Sequence, residues 1–217
     1  MNTTKLTAAR ARSDRNGFVR FIRSAAIFFR GFVENPGMVA SVVPSSQATI
    51  DAMLAKVDWE RCKLFVEYGP GVGTFTTRIL DCLPPDGRLL AIDTNPRFVE
   101  FLRKTITDPR FEVVLGSATD VESIVRASGL ARADYIISGL PFSSLPQDVA
   151  QQIVAATYAV LRDGGAFMTY QFRPTARDLT EARFDRTDRG LALFNVPPCL
   201  LAWGWKEEAA TAREAAE

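Results

Sequence analysis

The sequence predicts an α/β fold: a seven-stranded sheet of five parallel strands and a C-terminal antiparallel hairpin, with helices on both faces. Two observations carry this expectation. Between residues 63 and 172, short and nearly continuous apolar runs alternate with helix-period segments, the pattern of parallel strands buried on both faces. Beyond 173, two more strand-like runs are joined by Pro197 and Pro198 alone. That link is too short for a crossover helix, so the pair must be antiparallel.

The elements follow in order. Residues 1–16 are polar and basic. Residues 17–34, "GFVRFIRSAAIFFRGFVE", fit an amphipathic helix. Phe18, Phe21, Ile22, Ala25, Phe28, Phe29, Phe32 and Val33 fall on one half of the wheel. Arg20, Arg23, Ser24, Arg30 and Glu34 fall on the other, with Ile27 the misfit. "ENPG" ends this helix, and a second spans 44–57 with Ser45 or Ser46 as its N-cap. Strands are then expected at 63–69, 88–93, 111–116, 133–139 and 166–172, the last after a "DGG" turn. Helices are expected at 74–83, 96–106, 120–128 and 146–162, between those strands. A short helix at 174–182 precedes strands at 191–196 and 199–206. The chain thus divides into a basic arm (1–34), one domain (35–206) and a flexible tail (207–217).

Composition narrows the chemistry. The chain has no His, which excludes a His-ligated metal and a His-based triad; its three cysteines form no CxxC pair, so no metal is expected. Net charge is +1, yet residues 1–30 hold seven basic side chains against Asp14 alone. Arginines interrupt the N-terminal apolar run, which argues against a signal peptide, and no apolar stretch reaches membrane-span length. The chain reads as cytosolic. Aromatic and arginine faces segregated on 17–34 point to a helix lying on an anionic phospholipid surface, so a peripheral location on the cytoplasmic face is expected. RNA binding would instead interleave aromatics with arginines; no nucleic-acid partner is expected, and the chain is expected to be a monomer.

"VEYGPGVGTF" (66–75) closes the first strand. Gly69, Gly71 and Gly73 allow a sharp turn and a close backbone approach to a ligand. The dinucleotide fingerprint would need glycine at Thr74. What stands there is ExGxGxG, with Glu67 on the strand and Tyr68 beside the turn. An acid suits a cationic amino group, which S-adenosylmethionine has and NAD lacks. Asp93 ends the second strand twenty residues beyond Gly73, followed by Thr94, and its carboxylate can accept from two ribose hydroxyls.

Residues 63–94 resemble motifs I and II of class I S-adenosylmethionine-dependent methyltransferases, a Rossmann-like family. The resemblance implies S-adenosylmethionine as cofactor and S-adenosylhomocysteine as product. "LGSATD" (115–120) resembles the family's adenine site, with Ser117 in place of its Asp and Ala118 beside it. "NPGMVASVVPSSQATIDAMLAKVD" (35–58) resembles the leading helix shared by bacterial phospholipid N-methyltransferases and ribosomal RNA adenine dimethyltransferases. This implies that Ser45 and Ser46, with Pro44 and Gln47, border the methionine end of the cofactor. "SGLPFSSLP", "TYQFRP" and "FNVPPCLLAWGW" resemble the phospholipid subgroup.

The segment "ISGLPFSSLP" (137–146) carries the substrate question. Amine methyltransferases commonly place Asn at its third position to hold the target nitrogen; here that residue is Gly139, followed by Leu140 and Phe142. An aliphatic amine has a pKa near ~10 and is a good nucleophile once neutral. Its methylated product is a cation that favours aromatic faces. Tyr170 is the first candidate for that contact and for a proton relay. Phe142, Tyr68, Trp203 and Trp205 are further aromatic candidates, and Arg173 would meet a lipid phosphate. The expected activity is methylation of the phosphatidylethanolamine head group, successively to phosphatidylcholine. The alternatives are methylation of ornithine lipid or another amino-lipid, RNA adenine dimethylation, and membrane remodelling on a methyltransferase scaffold.

Overall fold

The computed structural model describes residues 47–192 and 198–207. The expected helix at 17–34, Ser45, Ser46 and the tail beyond 207 lie outside the described residues, as does most of the last interstrand link.

Seven strands form one sheet in the order β3-β2-β1-β4-β5-β7-β6. They are β1 (Leu64–Tyr68), β2 (Arg88–Asp93), β3 (Phe111–Leu115), β4 (Ala133–Ser138), β5 (Leu161–Gln171), β6 (Arg186–Ala192) and β7 (Cys199–Trp205). β1 to β5 pair in parallel, and β7 runs antiparallel to both β5 and β6. Six α-helices occur among the described residues: α1 (Gln47–Leu54), α2 (Thr74–Cys82), α3 (Pro96–Thr105), α4 (Val121–Ala127), α5 (Gln147–Val160) and α6 (Thr175–Arg183). Asn95 caps α3 by accepting from the Arg97 amide at 3.0 Å, with Pro96 in the first turn.

The apolar runs of the central strands bury both of their faces. All five β1 side chains are buried. One layer joins Val66, Tyr68, Ile136, Phe142, Phe167 and Phe184 to α4, α5 and α6. The opposite layer joins Phe65, Phe75, Tyr135, Met168, Leu201 and Trp203 to α1 and α2. Asp134 braces the lower end of the sheet: its carboxylate accepts from the Lys63 and Leu64 amides at 2.7 and 2.8 Å and pairs with Arg162. The Arg110 guanidinium donates to the Leu80 and Leu83 carbonyls at 2.8 and 2.6 Å and so closes the C-terminus of α2.

Two strands start earlier than the sequence predicts. β5 begins at Leu161 rather than 166, because the "DGG" segment stays in the ladder as an irregularity. Gly164 takes a left-handed φ of 73° while its amide reaches the Lys206 carbonyl at 2.6 Å, and the Lys206 amide returns to Gly165 at 3.0 Å. β6 runs over Arg186–Ala192 rather than 191–196. It is a polar edge strand held partly by ion pairs, Asp188 with Lys56 and Arg189 with Glu181. Such a strand has no apolar run to announce it.

Candidate active site

The sheet order reverses between β1 and β4, and the crevice at such a switch point is where open parallel sheets bind ligands. The turn after β1 supplies its floor. Gly69, Gly71 and Gly73 have φ of 61°, 57° and 82°, conformations that a side chain strains. A Cβ on Gly71 would meet nothing within 4 Å, so this turn of backbone faces open space that a ligand can enter. The turn is tied to both neighbours: the Gly69 amide donates to the Ile92 carbonyl and the Gly139 amide to the Tyr68 carbonyl, both at 2.9 Å.

Two carboxylates lie beside this turn on adjacent strands. Glu67 is buried, and the Thr76 hydroxyl donates to its Oε2 at 2.6 Å. Burial pushes the Glu67 carboxyl up to about 7, against the Thr76 hydrogen bond and with a further push from Asp93. Asp93 accepts from the Asn95 amide at 2.8 Å, and burial raises its carboxyl too, opposed by backbone amides of Asn95, Gly71 and Thr94. Neither acid has a salt-bridge partner among the described residues. Two buried acids without a cation beside an open glycine turn fit a ligand that brings an ammonium for one and hydroxyls for the other. That is the amino-acid and ribose pair of S-adenosylmethionine.

The acceptor side lies at the ends of β4 and β5. Gly139, Tyr170 and Glu67 project on the same face of the sheet, by alternation from the layer of Tyr135, Met168 and Phe65. A Cβ on Gly139 would fall 2.9 Å from the Gly69 carbonyl oxygen and 2.9 Å from the Tyr170 hydroxyl. The Tyr170 hydroxyl therefore stands against the spot from which a side chain at 139 would start. The Tyr170 ring stacks on Phe75 with centroids 4.6 Å apart. Burial first, then the Glu67 carboxylate, raise the Tyr170 phenol, so it stays protonated at neutral pH.

Other expected residues are placed differently. The Tyr68 side chain is fully buried, with its hydroxyl 3.1 Å from that of Thr157 on α5, so only its backbone serves the crevice. Phe142 is buried and packs on Phe167 in the opposite core layer. Trp203 is core and donates to the Met53 carbonyl. Trp205 pairs in register with Ala166 near the far end of β5 and donates to Asp188. Leu140 contributes its carbonyl, which already accepts from the Phe142 amide at 2.9 Å and from the Gln171 side chain. Ser117 accepts from the Thr119 amide and hydroxyl as a local cap, next to buried Ala118, and Thr94 is exposed. Arg173 is exposed just beyond β5 and ion-pairs with no described residue. Three contributors escape sequence reading: Phe75, which seats Tyr170; Gln171, which engages Leu140; and Thr76, which holds Glu67. Phe75 and Thr76 lie two and three residues past the last glycine, but their types give no sign of a role at the site.

Comparison with known proteins gives the family and the fold. Residues 65–165 match the family model described as a methyltransferase domain. The chain is 30% identical over 174 residues to an ornithine lipid N-methyltransferase from Singulisphaera acidiphila, covering 79% of this chain and 91% of that protein. Among solved structures, the N-methyltransferase NodS from Bradyrhizobium japonicum WM9 superposes with a TM-score of 0.60 at 17% identity, covering 77% of this chain and 99% of that one. The same enzyme in complex with S-adenosyl-L-homocysteine gives 0.55 at 18%, covering 74% and 85%.

Proposed function

We propose that this chain, which belongs to the class I S-adenosylmethionine-dependent methyltransferases and is an N-methyltransferase, acts on the primary aliphatic amine of a membrane amino-lipid. The observation that carries this reading is the Gly139–Tyr170 pair. No side-chain acceptor is available from 139, and a neutral hydroxyl on an aromatic ring stands beside that position instead. A conjugated adenine amine needs a strong acceptor to pyramidalise its nitrogen. An aliphatic amine needs only to arrive deprotonated and aligned, and its methylated products are cations that an aromatic face accommodates.

When bound, the cofactor would supply a methyl group on a sulfonium, transferred to the amine nitrogen with the carbon–sulfur electron pair left on sulfur. The protein contributes position. Glu67 and Asp93 would hold the two ends of the cofactor across the glycine turn, and the Tyr170 hydroxyl would accept from the incoming amine and direct its lone pair. The proton displaced from the amine passes by way of that hydroxyl or water.

Ornithine lipid is the first substrate of the reading, because the relative named above bears that activity. Phosphatidylethanolamine, carried through mono- and dimethyl forms to phosphatidylcholine, is the second. Exposed and unpaired among the described residues beyond β5, Arg173 is placed to meet an anionic group, whether a lipid phosphate or a carboxylate. The basic, aromatic segment 17–34 supports a surface-bound enzyme on sequence grounds.

The test uses labelled S-adenosylmethionine with the full chain and three parallel acceptors: vesicles with ornithine lipid, vesicles with phosphatidylethanolamine, and RNA. Label in either lipid supports the reading and chooses between its two substrates. Label confined to RNA, or no transfer to either lipid, overturns it.

A further inference from the structure

We propose that Thr76 is a positioning residue for the cofactor: its buried hydroxyl fixes one oxygen of Glu67 so that the other faces the crevice and takes the cofactor's α-ammonium. The inference rests on the reading of Glu67 as the holder of that ammonium.

Thr76 lies in the first turn of α2, three residues past the last glycine, outside the ExGxGxG pattern. Its side chain has no exposed surface, and Glu67 is buried as well, so their 2.6 Å hydrogen bond is shielded from water. Such a bond to a carboxylate in a dry site is short and strong. The turn makes room for it. A Cβ at Gly73 would come within 3.4 Å of the Thr76 hydroxyl and 2.9 Å of Leu102, so glycine there keeps the hydroxyl seated.

Among the described residues, the groups that face Glu67 are Thr76 from α2, Asp93 from β2 and Tyr170 from β5. None is a cation. Thr76 is thus the hydrogen-bond donor that steadies the ionised form before a ligand arrives. With its carboxyl pushed up to about 7, Glu67 carries a proton in mildly acidic solution. That proton must leave for solvent as an ammonium docks, one proton per ligand bound. Removing the Thr76 donor raises the carboxyl further and shifts the dependence to higher pH.

S-adenosylhomocysteine, which carries the same α-ammonium, is the probe. Its affinity for the full chain is measured by titration calorimetry between pH 5.5 and 8, in buffers of different ionisation enthalpy to count protons released. In the wild type, affinity should fall about tenfold per pH unit below the Glu67 midpoint, with about one proton released. Thr76→Val keeps the shape and removes the hydroxyl; it should move the midpoint up by about one unit, a loss of about tenfold at pH 6. Thr76→Ser should restore the wild-type midpoint. A Thr76→Val profile that coincides with wild type, or a Thr76→Ser profile displaced like Thr76→Val, overturns the proposal. Glu67→Gln distinguishes failure of the underlying reading: wild-type affinity and pH dependence in that variant would remove Glu67 itself from the site. Loss of affinity with a flat profile supports both.

Discussion

The proposed cofactor half of the site, at the ends of β1 and β2, and the proposed acceptor half, at the ends of β4 and β5, are built from different materials. The first uses charge: two buried carboxylates, Glu67 and Asp93, held by Thr76 and by backbone amides around an open glycine turn. The second uses shape: a missing side chain at Gly139 and a tyrosine seated on Phe75. Charge discriminates strongly for a ligand that is always the same. On the proposed reading, shape would let the occupant of the second half change as it is methylated, from an amine to a cation. The two halves touch at the Gly69 carbonyl and in the proximity of Tyr170 to Glu67, so each can be perturbed from the other.

The largest expected effect comes from forcing the first solution onto the second half. Gly139→Asn places atoms against the Gly69 carbonyl and the Tyr170 hydroxyl, each 2.9 Å from the new Cβ. Methyl transfer should fall at least about 100-fold from misplacement alone, and the unfolding free energy by about 1–3 kcal/mol. Single-turnover rates and urea melts measure both; a variant with wild-type turnover would show that the two halves are not sterically locked.

The next effect exposes what the charge solution costs the fold. Folding raises the Glu67 carboxyl from an ordinary 4.5 to about 7, so the folded state favours its protonated form. Ionisation of Glu67 therefore lowers stability as pH rises through that window, and the loss is complete above about 7. Glu67→Gln should raise the unfolding free energy at pH 8.5 by about 3 kcal/mol, and by almost nothing at pH 4, while weakening cofactor binding. Equal stability of variant and wild type at pH 8.5 would mean that the acid is not strained by burial.

A smaller effect isolates the ribose end. Asp93→Ala should weaken cofactor binding about 10- to 100-fold, as expected for lost hydrogen bonds to a charged acceptor, and leave the amine substrate's apparent affinity unchanged. Calorimetry for the cofactor and initial rates over a range of lipid content separate the two.

The same contrast explains what could be read from the chain. The glycine turn and the strand-end Asp93 were legible because spacing fixes them: the glycines must follow the strand and Asp93 must end the next one. The central strands β1, β2 and β4 were legible because burial on both faces leaves continuous apolar runs. The shape half was legible only in part. Gly139 and Tyr170 stood out, but nothing in one dimension distinguishes Tyr170, which reaches the crevice, from Phe142 and Tyr68, which bury themselves in the opposite layer. Thr76 was invisible because a threonine in the first turn of a helix is ordinary until its partner across the turn is known. β6 was misplaced for the complementary reason: an edge strand held by Asp188 and Arg189 pairs has the composition of a loop.

The most direct test of this division of labour is Tyr170→Phe, measured twice on the same preparation. The ring and its stacking on Phe75 remain, and only the hydroxyl beside Gly139 is lost. The account predicts an S-adenosylhomocysteine affinity within about twofold of wild type and a single-turnover rate on amino-lipid vesicles reduced about 10-fold, the loss expected for one hydrogen bond to the amine. An unchanged transfer rate, or a collapse of cofactor affinity alongside the rate, would contradict it.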